Sequence, residues 1–467
     1  MGNSAGNWDT MEEEATRRKF ERARLRHKRR VRNQMTAYMV VAILTIAAGA
    51  GLFIGGRQFV HVVAERRLAA QRAKEAEAAE ATEETVAALE EEAAAAEEEQ
   101  EQQTVETPEP AAEEEAGPTR EELLGEYVDK LLADMPLKDK VAGMFLVTPE
   151  QLTGVDAAIK AGDGTQEALQ DMAVGGLVYC RKNIKSEEQI EEMLSATRDM
   201  SKYPLFLATT EPGGDMGHLT ESLALEQVAS PAAIAENGDA KAAYEAGETL
   251  AKRLVKAGFS MNVAPAVNLT TESMNDEERA LSFGSDPGTA SILLGEEVRG
   301  FEENGIRTAV GLFPTKPEKG KGNIPTTDTT KPDLENGDFV MVQAAINAGC
   351  RIVQVGNLAA PRIVGDNTPC SMSTVIITEL LRGDFGYDGI VMTDAMDDAV
   401  ITDYYTADQA AVAAIKAGAD VIYRPEDLQK AIEGVLEAVN SGAIPESRID
   451  ESIRRIYLVK CEGQIEE

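Results

Sequence analysis

The residues of this sequence best suited to chemistry are acidic and imidazole side chains that follow short apolar runs. Asp394 follows the run GIVMT, Glu211 follows PLFLATT, and His218 lies a few residues beyond Glu211. An ionised carboxylate can act as a nucleophile, and an imidazole or a carboxyl with apolar neighbours can donate a proton. An Asp directly after a strand is also a good helix N-cap, and Asp397 is compatible with such a helix start. The sequence leaves both interpretations of Asp394 open.

Eight short runs rich in Val, Ile, Leu and Phe alternate with helical patterns from residue 120 onward. This alternation is typical of parallel strands joined by crossover helices. It predicts an α/β fold, a (β/α)8 TIM-type barrel over residues 120–467, although an open doubly wound sheet would show the same alternation. No glycine-rich phosphate-binding fingerprint follows any run, which argues against nucleotide binding. The predicted strands cover residues 144–148, 175–180, 204–210, 261–269, 307–314, 351–358, 389–396 and 419–425.

The carboxyl ends of the strands form one face of such a barrel, and this face carries the chemistry of the fold. Thr210 and Glu211 follow the third run, Asn357 lies at the end of the sixth, and Asp394 follows the seventh. We therefore expect these side chains on one face. Glu211 is equally compatible with a solvated loop acid, and a lone histidine such as His218 is more often structural.

The first third of the chain has the composition of a membrane anchor and a spacer. Residues 17–32 are strongly basic, and residues 35–56 then carry no charge. Such a stretch can span a bilayer core of about 30 Å as a helix, and the basic residues before it favour a cytoplasmic N-terminus. The rival interpretation is a cleaved signal peptide. The sequence predicts a single-pass cell-membrane protein with a basic cytoplasmic tail (1–34), a transmembrane anchor (35–56), an Ala/Glu-rich stalk (57–119) and an extracytoplasmic barrel (120–467).

Composition excludes several classes of partner and site. The formal net charge of −35 would repel phosphate backbones, so we expect no nucleic-acid partner. The three histidines and four cysteines do not cluster as in zinc or redox sites. We therefore expect no metal and no cofactor.

Five stretches form a recognisable series: LSFGSDP 281–287, GIRTAVGLFP 305–314, PCSMSTVIITELLRGDFGYDGIVMTDAM 369–396, AIKAGADVIY 414–423 and RIDESIRRIYLVK 448–460. In this order they resemble the N-terminal catalytic domain of glycoside hydrolase family 3, and in particular its bacterial β-N-acetylhexosaminidases. The resemblance implies a barrel, an extracytoplasmic carbohydrate substrate and a retaining double displacement. It also implies that Asp394, in Thr393-Asp394-Ala395, stands where the family keeps its nucleophile.

The sequence departs from the family pattern after the third and fourth runs. The family pattern Asp-x-Glu-Gly-Gly-Arg reads here from Thr210 to Asp215, so the sugar-binding Asp and the Arg are both replaced. Where the family places an Arg before Ser-Phe-Gly, this chain has Leu281, with Arg279 two residues earlier. Thr210 and Arg279 are therefore candidates for substrate binding.

The segment after the fifth run departs further. The family pattern Lys-His-Phe-Pro-Gly-His reads here as GLFPTK at 311–316, and residues 311–350 contain no histidine that could serve as the acid/base of the hexosaminidase branch. Lys316 and Asn357 remain candidate substrate-binding residues. Glu211, His218 and Asp328 are the candidate acid/base residues, although Asp328 also suits an ordinary surface turn.

Two functions are compatible with this pattern. The first is a membrane-anchored protein of the glycosidase type, directed at β-linked N-acetylhexosamine or glucose units, with Asp394 as the nucleophile. Its activity would be weak or lost. The second is a non-catalytic barrel that binds cell-wall glycan or a protein partner, because a catalyst needs several groups around one transition state and a scaffold does not. Aromatic residues are only 5% of the chain, so platforms for sugar stacking are scarce.

Overall fold

A computed structural model describes residues 119–317 and 324–464 of the chain. These residues belong to a compact unit that spans Ala116–Glu467. The predicted tail, anchor and nearly all of the predicted stalk lie outside the described residues. Within the described ranges, no helix has both the length and the apolar character needed to cross a bilayer.

Eight parallel strands form the centre of the fold, in the order β7-β6-β5-β4-β3-β2-β1-β8. A bridge between Met392 and Val421 joins β7 to β8 and closes the barrel. The predicted α/β barrel is confirmed, and each predicted run contains one strand. The strands are β1 (Phe145–Val147), β2 (Gly176–Val178), β3 (Phe206–Thr209), β4 (Met261–Asn262), β5 (Arg307–Phe313), β6 (Ile352–Val355), β7 (Ile390–Thr393) and β8 (Ile422–Tyr423).

The helices surround this barrel, and one of them, Val375–Asp384, has wide π-type turns. They are α1 (Arg120–Ala133), α2 (Leu137–Ala142), α3 (Pro149–Thr153), α4 (Asp163–Asp171), α5 (Glu187–Met200), α6 (His218–Ser222), α7 (Pro231–Asn237), α8 (Ala240–Ala257), α9 (Asp276–Ala280), α10 (Pro287–Glu302), α11 (Lys331–Glu335), α12 (Asp338–Asn347), α13 (Pro361–Val364), α14 (Val375–Asp384), α15 (Ala399–Thr402), α16 (Ala407–Ala417), α17 (Leu428–Asn440) and α18 (Glu446–Cys461). Short 3₁₀ turns cover Arg181–Asn183, Cys370–Met372 and Glu462–Gln464.

Local sequence signals set the ends of the long outer helices. Asp239 caps α8 by accepting hydrogen bonds from two backbone N–H groups of its first turn, and Gly258 ends it with a left-handed φ of 97°. Asp286 caps α10 by accepting a hydrogen bond from the backbone N–H of Thr289, and it precedes Pro287. These caps satisfy backbone groups that a helix end leaves without partners.

A buried carboxylate fixes the junction of β7 and β8. Asp420 is fully buried and accepts hydrogen bonds from the backbone N–H of Val391 at 3.0 Å and from the hydroxyl of Ser452 at 2.6 Å. The guanidinium groups of Arg382 and Arg448 also pair with it. Because a buried charge needs partners, this cluster holds the strand that precedes Asp394 in one register.

Candidate functional site

Asp394 lies directly after β7, at the carboxyl end of the strand. Its backbone N–H donates to the carbonyl of Val355 at 2.8 Å, which extends the pairing of β6 and β7 by one residue. The following helix, α15, begins only at Ala399, and its N-cap is Asp398. The N-cap interpretation of Asp394 is therefore wrong, because a different aspartate has that role.

Neighbouring N–H groups hold one oxygen of the Asp394 carboxylate. Oδ1 accepts from the backbone N–H of Ala395 at 2.8 Å and from Nε2 of Gln354 at 3.3 Å. Neither bond reaches Oδ2. Burial raises the pKa of Asp394 to about 6, although the backbone amides of Ala395 and Asn357 favour the ionised form. The carboxylate is thus mostly ionised at neutral pH and can act as a nucleophile.

Two further side chains order the backbone around Asp394. Asn357 is buried; its Nδ2 donates to the carbonyl of Ala395 at 2.7 Å, and its Oδ1 accepts from Ser371 at 2.7 Å. Arg424 follows β8 with a left-handed φ of 48° and donates to Asp397 through Nη2 at 2.8 Å. Both of these side-chain hydrogen bonds of Asn357 are thus made to other groups of the protein.

Glu211 has a structural role in the loop after β3. One carboxylate oxygen accepts from the N–H of Leu219 at 2.9 Å and the other from the N–H of Thr220 at 3.2 Å, both at the start of α6. Burial raises the pKa of Glu211, and these hydrogen bonds oppose the shift. A Cβ on Gly217 would lie 2.0 Å from Glu211 Oε1, so the loop fits closely around the carboxylate.

His218 begins α6 in the same loop, with its backbone N–H donating to the carbonyl of Thr210 at 3.0 Å. Its Nδ1 is buried and has no hydrogen-bond partner among the described residues. Burial lowers the pKa of His218, so the ring is neutral at pH 7. A neutral imidazole can accept a proton, but it is a poor source of one.

The segment after β5 folds onto the segment after β6. Thr326 pairs with Ala359, and the N–H of Thr327 donates to the carbonyl of Ala359 at 3.0 Å. Asp328 lies in this segment with an exposed side chain that has no hydrogen-bond partner among the described residues. The side chain is therefore accessible to solvent, as in a surface turn.

The candidate cations are engaged within the protein. Lys316 pairs with Glu278 at 2.7 Å. Arg279 donates to the carbonyls of Met274 and Glu272, both at 3.0 Å, and so braces its own loop. A substrate would have to compete with these partners.

A buried carboxyl that the sequence did not single out braces the base of the β5 loop. Asp338, at the start of α12, accepts from the N–H of Leu269 at 2.9 Å and from the hydroxyl of Thr315. Asn268 reaches the same carboxyl and also donates to the carbonyl of Leu312 at 3.0 Å. Burial raises the pKa of Asp338. This network places the apolar Leu312, half-buried, where the resemblance expects a histidine.

The barrel divides the predicted site residues into separate groups. Asn357 follows β6 and Asp394 follows β7, so these two lie together, whereas Thr210, Glu211 and His218 follow β3. In the closed strand order, β3 and β7 are four strands apart in either direction and therefore lie on opposite sides. The remaining candidates lie on the loops after β4 and β5.

Sequence reasoning missed Gln354, Arg424 and Asp338. A glutamine inside an apolar strand was the visible signal for Gln354, because a buried amide needs a partner. No comparable local signal marks Arg424 or Asp338, whose partners lie on other strands and loops.

Comparisons with known proteins agree with this architecture. The profile described as "Glycosyl hydrolase family 3 N terminal domain" matches residues 137–459. A β-hexosaminidase A from Pseudoalteromonas piscicida is 24% identical in an alignment of 328 residues that covers 63% of this chain and 54% of that protein. The β-hexosaminidase LpqI of Mycobacterium tuberculosis is 26% identical over 268 residues, 55% of this chain and 68% of that protein. The chain thus spans between about half and two thirds of the length of these relatives.

A solved structure shows the same relationship. The glycoside hydrolase family 3 β-N-acetylglucosaminidase from Paenibacillus sp. str. FPU-7 superposes with a TM-score of 0.65 at 27% identity. The match covers 71% of this chain and 63% of that one. The similarity therefore extends over the barrel.

Proposed function

Because the chain belongs to glycosyl hydrolase family 3, as the match to its N-terminal domain over residues 137–459 shows, we propose that it acts on β-linked N-acetylhexosamine or glucose units with Asp394 as the nucleophile. The observation that carries this proposal is the carboxylate of Asp394. This carboxylate follows β7 and does not cap a helix. The hydrogen bonds from Gln354 and from the N–H of Ala395 both go to Oδ1, and neither of them reaches Oδ2. The names of the relatives favour the N-acetylhexosamine substrate.

The proposed reaction is a retaining double displacement. The Asp394 carboxylate attacks the anomeric carbon, the glycosidic C–O bond breaks with its electron pair on the leaving oxygen, and a glycosyl-enzyme ester forms. Water then attacks the anomeric carbon, the ester C–O bond breaks, and Asp394 is released as a carboxylate. The proton lost by the water passes to solvent, from which the leaving oxygen of the first step takes up a proton. The pKa of about 6 predicts that activity falls as the pH drops below this value, because the protonated acid cannot attack.

Departure of the leaving group is the weak step of this mechanism. Both oxygens of Glu211 already accept backbone hydrogen bonds, and His218 is neutral. Asp328 is exposed on the β5 loop. General acid catalysis is commonly worth about 10²–10⁴-fold in rate. We therefore expect slow turnover of natural glycosides, whose leaving oxygen needs a proton, and faster turnover of aryl glycosides, whose leaving group departs as an anion.

A second candidate function is a non-catalytic barrel that binds cell-wall glycan or a protein partner. It is favoured by the side chains at the mouth: Gly311 and Leu312 replace polar residues, and Lys316 is paired with Glu278. Such a barrel would keep Asp394 without using it for chemistry.

The two functions can be distinguished by measuring how the rate of turnover depends on the leaving group of the substrate. The full-length protein would be assayed with 2,4-dinitrophenyl β-N-acetylglucosaminide, the matching β-glucoside, and a β-linked disaccharide of N-acetylglucosamine. The catalytic proposal expects dinitrophenol release that Asp394→Asn abolishes and that Asp403→Asn, an exposed control directly after α15, leaves unchanged. A folded wild-type protein that releases no dinitrophenol from either glycoside would overturn catalysis and favour the binding function, which glycan titration by calorimetry would then test.

The cellular location is a separate part of the proposal. The uncharged residues 35–56 and the basic residues before them support a single-pass anchor with the barrel outside the cytoplasm. Alkaline phosphatase fused after residue 119 should be active in cells, and a fusion before residue 35 should be inactive. The reverse pattern would contradict this orientation, and a released N-terminal fragment would indicate a cleaved signal peptide.

A further inference from the structure

Gln354 is a polar side chain inside an otherwise apolar strand. β6 reads Ile-Val-Gln-Val, all four residues are buried, and Gln354 is only 8% exposed. A buried amide without a hydrogen bond is costly, so a glutamine at this position requires a partner. Its Nε2 donates to Oδ1 of Asp394 at 3.3 Å.

The strand register explains why these two residues meet. Gln354 pairs with Met392 of β7, and Val355 pairs with Thr393. Side chains alternate between the two faces of a strand, so Asp394 lies on the same face as Met392 and one layer nearer to the mouth. The glutamine side chain is long enough to reach this next layer.

Gly311 provides the space in which Gln354 lies. The β5–β6 pairing is irregular between Val310 and Phe313, so Gly311 and Leu312 face the single residue Gln354. A Cβ on Gly311 would lie 2.9 Å from Cβ of Gln354 and 3.1 Å from its Oε1. The first of these distances is shorter than Cβ atoms tolerate, so a side chain at 311 would require Gln354 or the strand of residue 311 to shift.

We propose that Gln354 is the positioning residue of Asp394: it fixes Oδ1, together with the N–H of Ala395, so that Oδ2 faces the anomeric carbon, and it depends on glycine at position 311. The catalytic part of this inference rests on the proposed function. The contact between the two side chains does not depend on that function.

The first test replaces the amide. Gln354→Met keeps the length and approximate volume of the side chain and removes the donor, whereas Gln354→Glu places a second acid beside Asp394. Loss of a hydrogen bond to a carboxylate should move the acidic limb of kcat/KM for the dinitrophenyl glycoside upward by roughly one pH unit, and the Glu variant should move it further. Gln343→Met in α12, whose amide donates to Asn347, should leave the limb in place.

The second test fills the space in which Gln354 lies and leaves the Gln354 side chain itself unchanged. Gly311→Ala should shift the acidic limb in the same direction as Gln354→Met, and the double variant should shift it no further than Gln354→Met does. Gly295→Ala is the matched control, because a Cβ there would meet no atom closer than 3.7 Å. Reduced kcat/KM with an unmoved limb in both Gln354→Met and Gly311→Ala would show a merely structural role and overturn the proposal.

A third measurement does not require turnover. The unfolding free energies of the protein with and without the Asp394→Asn substitution would be compared across pH, in the wild-type and Gln354→Met backgrounds. The pH at which their difference reaches its plateau should rise by roughly one unit when the amide is absent. A shift without turnover would support the contact and reject the proposed function, whereas an unshifted plateau would reject the role of Gln354.

Discussion

Asp394→Asn is predicted to stabilise the protein at neutral pH and, under the proposed mechanism, to abolish turnover. The pKa of Asp394 rises from an ordinary 3.8 to about 6 because folding buries the carboxylate. Each unit of such a shift corresponds to about 1.4 kcal/mol, so the ionised carboxylate costs the folded state at most about 3 kcal/mol. Asparagine has the same shape and no charge, and its Oδ1 can still accept from the N–H of Ala395. Solvent access to the mouth reduces the expected gain to about 1–3 kcal/mol.

The raised pKa of Asp394 also predicts how the stability gain of the Asp394→Asn variant changes with pH. Below about pH 4, the carboxyl is protonated in both the folded and the unfolded protein, so the variant should have no advantage from charge. Between about pH 4 and 6, the unfolded chain ionises first, and the wild-type protein loses stability relative to the Asp394→Asn variant. Above about pH 6 both states are ionised, and the difference should stay constant.

Reversible urea unfolding of the full-length protein would measure the difference at a series of pH values from about 3.5 to about 8, which brackets the titration in both states. Asp403→Asn supplies the same chemical change at an exposed position directly after α15. An Asp394→Asn variant that is no more stable than wild type at neutral pH, or a gain that persists unchanged at the acidic end, would refute the reasoning that burial destabilises this carboxylate.

Two further substitutions test buried carboxyls away from Asp394. Glu297 is fully buried in α10, and neither of its carboxyl oxygens has a partner among the described residues. Burial raises the pKa of Glu297 to about 8. In urea unfolding, Glu297→Gln should therefore increase the unfolding free energy by about 2–5 kcal/mol at about pH 8 and change it little near pH 4. An equal gain at both pH values would contradict this cause. Gly217→Ala should lower the unfolding free energy by about 1–3 kcal/mol, because the new Cβ would collide with Glu211. The control Gly164→Ala should not lower it, because a Cβ there meets no atom within 4 Å. If Gly217→Ala left the stability unchanged, Glu211 would be free to move.

The sequence alone was sufficient for the barrel and for the position of Asp394. Each strand is an apolar run bounded by polar or glycine-containing turns, and helix ends such as Asp239 and Gly258 follow local capping preferences. These signals lie within a few residues of the structure they specify, so they can be read along the chain. The resemblance of residues 369–396 to a family pattern then selected Asp394 from several acidic residues at strand ends.

Only the tertiary structure decided what surrounds Asp394. Gln354 and Asp394 are forty residues apart and meet because β6 and β7 pair in one register. The fit of Gln354 against Gly311 depends on an irregularity between two other strands. Glu211 could not be recognised as a structural acceptor from its neighbours in sequence, because the start of α6 had to fold back onto it. Contacts of this kind depend on packing between distant segments, which composition and periodicity do not encode locally.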